Sequence, residues 1–200
     1  MLTQKQELAL QAIVEKYQNH EKYVVIGGYA GSGKSYLVKF AIAALEKYGI
    51  HEDKVCYAAY TGKACQVLLS KGNKNVSTLH KLMYESIPKP DGTFFRRKKV
   101  SLGYDVIVAD ECSMIPKPLM ENLLSYPVFV IFLGDPGQLP PVDKDADNHL
   151  LDHPDVFLDQ IMRQALDSEI IQLSMKIRHL EPITYYQGKD VIVLPKKQLN

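Results

Sequence analysis

Gly28-Tyr29-Ala30-Gly31-Ser32-Gly33-Lys34-Ser35 is the stretch on which the fold turns. It fits the pattern G-x-x-x-x-G-K-[ST], in which glycines let successive backbone N–H groups close around a polyphosphate. The spacing predicts a helix beginning at Lys34, with the positive end of its dipole aimed at the anion. In such a loop Lys34 reaches the β- and γ-phosphates and the Ser35 hydroxyl binds Mg²⁺. Gly28, Ala30, Gly31, Ser32 and Gly33 supply the cradle around them. Tyr23-Val24-Val25-Ile26 before the loop reads as a buried strand, and Leu37, Ala41, Ala44, Leu45 and Tyr48 after it fall on one helical face. The bland alternative is an ordinary Gly/Ser turn.

Outward from this loop, residues 3–19 predict a first helix, with Leu10, Ile13, Val14 and Tyr17 on one face. Gly49 closes the helix after the loop. Residues 54–60 form a second apolar strand, followed by short helices over 63–70 and 77–84. Val106-Ile107-Val108-Ala109 and Val128-Phe129-Val130-Ile131-Phe132-Leu133 are continuous apolar runs, the mark of strands covered on both faces. Strands alternating with helices predict an α/β domain built on a central parallel sheet. A last helix is expected over 168–178, with Ile171, Met175 and Arg178 at helical spacing, and a last strand from Val191 to Leu194.

One segment differs in kind. Pro88, Pro90 and an Asp91-Gly92 turn precede Thr93-Phe94-Phe95 and then Arg96-Arg97-Lys98-Lys99, so residues 85–102 read as an exposed β-hairpin inserted in the core fold. Its arginines and lysines supply phosphate-neutralising charge and its phenylalanines stackable faces. Alternation puts Phe94 and Phe95 on opposite faces, leaving one of them free to stack. The competing reading is a solvated basic loop with its phenylalanines in the core.

Composition sets the bounds. Two hundred residues suit one domain, and 46% apolar with 24% charged residues are globular values. No run is long enough to span a membrane and the N-terminus is polar, so no membrane partner is expected. Cys56, Cys65 and Cys112 are odd in number and lack metal-ligand spacing, which predicts reduced thiols in a cytoplasmic compartment. The net charge of +1 neither favours nor excludes a nucleic-acid partner.

Two further constellations carry chemistry. Asp110-Glu111 ends a hydrophobic strand, where open α/β sheets place their ligands. Asp110 would hold Mg²⁺ through water, and Glu111 would orient or deprotonate the attacking water; the alternative is a pair of solvated acids. Gly134-Asp135-Pro136-Gly137-Gln138-Leu139-Pro140-Pro141-Val142 follows the next strand. It puts Gln138 within reach of a γ-phosphate or its attacking water, unless the segment is only a Gly/Pro turn.

Read in order, these segments resemble the superfamily 1 helicases, in particular their RecD- and Dda-like 5′→3′ branch. Leu2-Thr3-Gln4-Lys5-Gln6 is similar to that family's Q motif, and the phosphate loop is its motif I. Ala59-Tyr60-Thr61-Gly62-Lys63-Ala64 resembles motif Ia, with Tyr60 in place of the usual proline. Ser77-Thr78-Leu79-His80 resembles motif Ib, Asp110 to Met114 motif II, and Gly134 to Val142 motif III. Met162-Arg163-Gln164 with Asp167-Ser168 resembles motif IV.

The resemblance implies a RecA-like P-loop NTPase domain with a small inserted hairpin subdomain, using ATP and Mg²⁺ and acting on single-stranded DNA at a duplex fork. It also implies adenine recognition by Gln6, γ-phosphate contact by Arg163, and DNA contact by Thr61, Lys63, Thr78, His80 and the hairpin residues Phe94, Arg96 and Arg97. Each has a plain counterpart. Thr3-x-x-Gln6 is also a capping box. Lys63 reads equally as a solvated helix-start lysine, His80 as a core histidine, and Arg163 as a surface partner of Asp159 or Asp167.

Motifs V and VI, which carry the arginine finger of the family's second RecA-like domain, have no counterpart in these 200 residues. The chain is therefore expected to be a first motor domain, with residues 181–200 leading toward a second, and to hydrolyse ATP slowly alone. A stand-alone domain that binds nucleotide or DNA without useful turnover is the other reading.

Overall fold

The computed structural model describes residues 2–138, Pro141, 147–162, 168–178, 180–184 and 186–194. Helix α1 (Gln4–Gln18) begins at Thr3, whose side chain accepts from the Gln6 N–H while Gln6 returns a bond to the Thr3 N–H, a complete capping box. Its buried Gln6, Ala9 and Ile13 share one face. Strand β1 (Tyr23–Gly28) leads through the phosphate loop into α2 (Lys34–Leu45). Then come β2 (Val55–Ala59), α3 (Gly62–Ser70), β3 (Val76–Thr78) and α4 (Leu79–Met83). The hairpin β4 (Tyr84–Pro88) and β5 (Phe94–Lys98) follows. The remaining elements are β6 (Val106–Asp110), α5 (Lys117–Leu124), β7 (Phe129–Gly134), β8 (Val156–Leu158), α6 (Glu169–Arg178), β9 (Tyr186–Gln187) and β10 (Ile192–Val193).

Six strands form one sheet in the order β3-β2-β6-β7-β1-β8, and every neighbouring pair is parallel. The apolar runs of β1, β2, β6 and β7 split by alternation into two cores. Val24, Ile26, Val106, Val108, Ile131 and Leu133 face one side, packed with Ile13, Leu37, Ala41 and Leu68. Val25, Ile107, Ala109, Val130 and Phe132 face the other, with Leu79, Met83, Ile115 and Leu123. Burial on both faces is what continuous Val/Ile/Leu runs demand. Because all strands run the same way, β1, β2, β3, β6 and β7 deliver their carboxyl ends to one edge.

Three details depart from the sequence reading. Residues 76–78 are a sheet-edge strand paired with Tyr57–Ala59, so the helix expected over 77–84 is confined to α4, which Thr78 caps by accepting from the Lys81 N–H at 3.2 Å. Strand β8 lies beyond β1, and at three residues it is too short to show a period. The closing strand is a two-residue ladder with β9. Among the described residues no helix is long and apolar enough to cross a membrane, and Cys56, Cys65 and Cys112 are buried free thiols.

Candidate nucleotide and nucleic-acid site

The phosphate loop is shaped by glycine. Gly31 and Gly33 take φ of 80° and 82°, a left-handed conformation that side chains resist, and Gly33 is the N-cap of α2. At Gly28 an added Cβ would lie 2.7 Å from Ser32 Oγ and 2.9 Å from Leu158 Cβ. Lys34 donates to the carbonyls of Gly28 at 2.5 Å and Tyr29 at 3.0 Å. Burial lowers the Lys34 pKa, against the opposing pull of Asp135 and Asp110.

The loop opens into a cavity of about 930 Å³ lined by Lys34, Ser35, Asp110, Glu111, Gln138 and Met162, among others. Ala59 pairs with Asp110 across β2 and β6, and Gly27 with Gly134 across β1 and β7. The register therefore brings four strand ends to one edge of the sheet, and those of β1, β6 and β7 lead into residues that line the cavity. Glu111 holds φ 53° and ψ 44°, a left-handed backbone costing a non-glycine residue about 1–3 kcal/mol and concentrated at functional sites. Burial, reinforced by the Asp110 charge and opposed by Lys71, raises the Glu111 pKa, the direction that suits a general base. Asp110 Oδ1 accepts the Glu111 N–H at 3.0 Å.

Ser35, Asp110 and Glu111 offer hydroxyl and carboxylate oxygens, the hard donors Mg²⁺ takes alongside substrate phosphates, and the N–H cradle suits a polyphosphate. The donor set fits both groups.

Gln6 sits behind this cavity. It is 1% exposed; its Oε1 accepts the Thr3 N–H at 3.0 Å and its Nε2 donates to the Ser32 carbonyl at 3.1 Å. The side chain thus serves the capping box and the phosphate loop together. Arg163, Leu139, Pro140 and Val142 lie outside the described residues, as do Gln164 and Asp167. Asp159, one partner considered for Arg163, pairs with Lys5 at 2.6 Å.

The nucleic-acid candidates gather toward the β2–β3 side of the same sheet edge. Thr61 caps α3, accepting from the Ala64 N–H at 3.2 Å, with Lys63 exposed beside it. His80 lies between Tyr60 and Tyr84, at ring-centroid distances of 5.8 and 6.2 Å; burial and then Arg96 lower its pKa. The hairpin pairs Phe94 with Pro88 and Arg97 with Glu85, and Arg97 Nε donates to Glu85 Oε1 at 2.9 Å. Phe94 and Phe95 are 68% and 43% exposed. Both are open, against the expectation that only one would be: every residue of β5 is exposed, and the burial in this two-stranded ribbon falls on β4, where Tyr84 packs against the core. Of the four basic residues, Lys98 donates to Ser125 Oγ and Lys99 to the Lys81 carbonyl. Arg96 and Arg97 are left on the outer part of the strand.

Sequence reasoning passed over three residues. Lys71 donates to Ser35 Oγ at 3.0 Å. Asp135, though inside a recognised segment, was given no role, yet it is 1% exposed and accepts from the N–H of Ala30 at 3.1 Å and of Gly137 at 2.9 Å. Arg178 grips the same carboxylate at 2.7 and 2.8 Å. An acid and a glycine directly after an apolar strand were the available signal for Asp135; Lys71 and Arg178 lie too far along the chain from the loop for any spacing rule.

A six-stranded parallel sheet carrying a phosphate loop at one carboxyl end and an Asp-Glu pair at another defines a RecA-like P-loop domain. The profile of the AAA-domain family matches residues 1–193. Similar curated proteins include the ATP-dependent RecD2 DNA helicase of Deinococcus radiodurans, 32% identical over 176 residues, covering 85% of this chain and 23% of that protein. Another is the ATP-dependent DNA helicase dda of Enterobacteria phage T4, 31% identical over 148 residues, covering 71% of this chain and 33% of that protein. A solved Pif1 helicase, from a study of DNA unwinding at forked duplex DNA, superposes with a TM-score of 0.59 at 24% identity over 92% of this chain and 49% of that one. The chain belongs to this AAA-domain family, as an N-terminal RecA-like domain of the RecD- and Dda-like superfamily 1 helicases. It spans 23% and 33% of the two curated relatives named here.

Proposed function

We propose that this chain is the ATP-binding motor domain of a 5′→3′ DNA helicase, coupling Mg·ATP hydrolysis to movement along single-stranded DNA and to duplex unwinding at a fork. The observation that carries this reading is the convergence of Lys34, Ser35, Asp110, Glu111 and Gln138 on one cavity at the carboxyl edge of the sheet. Gly28 to Ser35 hold the triphosphate, and Lys34 neutralises its outer phosphates. Ser35 and Asp110 hold the metal, which when bound withdraws charge from the β- and γ-phosphates. Glu111 takes the proton of the attacking water and Gln138 orients that water. Gln6 sets the loop from behind, where an adenine-binding role rests on the family resemblance. Arg163 is assigned to the γ-phosphate on the same ground.

Single-stranded DNA runs past the N-terminal ends of α3 and α4. Thr61, Lys63 and Thr78 meet phosphates there, and His80, Phe94, Arg96 and Arg97 contact bases and backbone. A second RecA-like domain, which supplies the arginine finger, completes the catalytic site; a finger is worth about 10³–10⁵ in turnover.

Steady-state ATP hydrolysis tests the assignment. Glu111→Gln is expected to bind Mg·ATP as the unmodified chain does and to lose its residual turnover. Turnover unchanged in Glu111→Gln would remove Glu111 from the chemistry.

A further inference from the structure

Asp135 is the meeting point of three segments distant in sequence. Its Oδ2 accepts the Ala30 N–H of the phosphate loop at 3.1 Å, and its Oδ1 accepts the Gly137 N–H, one residue before Gln138, at 2.9 Å. Both oxygens are also held by the Arg178 guanidinium, at 2.7 and 2.8 Å. Arg178 lies over the Tyr29 ring, with its guanidinium carbon 5.0 Å from the centroid, and an added Cβ at Gly137 would meet Arg178 at 2.7 Å. Arg178 is the last residue of α6, a helix with no buried residue and none in the wall of the nucleotide cavity. A planar two-pronged donor fixes the plane of a carboxylate in a way a single contact does not.

We propose that Arg178 is a positioning residue: by fixing the Asp135 carboxylate it sets the phosphate loop and the Gln138 segment, and it thereby couples nucleotide binding to the docking of α6. The inference rests on the nucleotide reading above. Coupling is reciprocal, so the factor by which nucleotide protects α6 is the factor by which losing the Arg178 contact weakens nucleotide binding.

Amide hydrogen exchange of peptides spanning Glu169–Arg178, with and without a non-hydrolysable Mg·ATP analogue, tests this. In the unmodified protein the analogue is expected to slow exchange by about fivefold or more. Arg178→Ala should abolish that protection and weaken analogue binding by a similar factor. Arg178→Lys, which keeps the charge but not the fork, should fall between them, and it serves as the folded control if Arg178→Ala does not fold. Analogue binding without any change in α6 exchange would overturn the coupling and leave the nucleotide site standing. Protection that persists in Arg178→Ala would overturn it too, because the signal would then run along the chain from Met162. Failure of the unmodified protein to bind the analogue would remove both readings.

Discussion

Asp135 shows how one carboxylate is worth more than its charge. Burial alone would push its pKa up, but the Arg178 hydrogen bonds, the Gly137 N–H, and the Arg178 and Lys34 charges outweigh burial and hold it below the ordinary value. The unfolded state therefore binds more protons at Asp135 than the folded state does in acid, and stability rises with pH there. The contribution is complete above the unfolded carboxylate's pKa of about 3.9 and is lost as pH falls through the lower folded value. Thermal melts from pH 6 down to pH 2.5 should show that loss in the unmodified chain and a flatter profile below about pH 4 in Asp135→Asn. Identical profiles would mean that Asp135 is not paired in solution. Glu111 makes a related point. Its left-handed backbone was invisible in a sequence that reads only as a strand followed by two acids, since strain depends on what the neighbouring segments force upon it.

The hairpin β4–β5 is an element whose existence was legible and whose surroundings were not. The Asp91-Gly92 turn closes as its residues dictate. Gly92 takes φ 80°, the Gly92 N–H donates to the Lys89 carbonyl at 3.0 Å, and Asp91 Oδ1 accepts both the N–H and the hydroxyl of Thr93. Alternation then predicted one covered phenylalanine, but the ribbon meets the core at its Tyr84–Lys98 end, and both phenylalanines lie toward the turn and exposed. The basic run likewise divides by what stands near it. Lys98 lies over the Tyr126 ring at 4.8 Å while Arg96 and Arg97 are both exposed, and the exposed Arg97–Glu85 pair is worth about 0–1 kcal/mol and yields readily to a phosphate. Replacing Arg96 and Arg97 by Ala should weaken single-stranded DNA binding and lower the slope of log K against log salt by about 0.7 for each lost phosphate contact. Titrations at several salt concentrations measure that slope, and an unchanged slope would return the hairpin to a solvated surface. The short elements β3 and β8 escaped sequence reading for a different reason: each exists because a sheet edge offers it hydrogen bonds, and three residues carry no period of their own.

Taken together, the chain is built on a parallel sheet whose carboxyl edge carries the nucleotide-site candidates near β1, β6 and β7 and the nucleic-acid candidates near β2 and β3. The phosphate loop, the Asp110-Glu111 pair and Gln138 were legible because each is a contiguous segment whose chemistry fixes its spacing. The Arg178–Asp135 and Lys71–Ser35 contacts were not, because each joins residues distant in sequence. If the second motor domain supplies the arginine finger, ATP turnover should rise by about 10³-fold or more when that domain is joined to this one; equal turnover in the two forms would place the whole hydrolytic site here. The proposed activity depends on one event, the seating of Mg·ATP in the loop from Gly28 to Ser35. Calorimetric titration of the unmodified chain and of Lys34→Ala with Mg·ATP reads that event. One saturable site in the unmodified chain and none in Lys34→Ala is the predicted result, and equal affinity in the two proteins would contradict it.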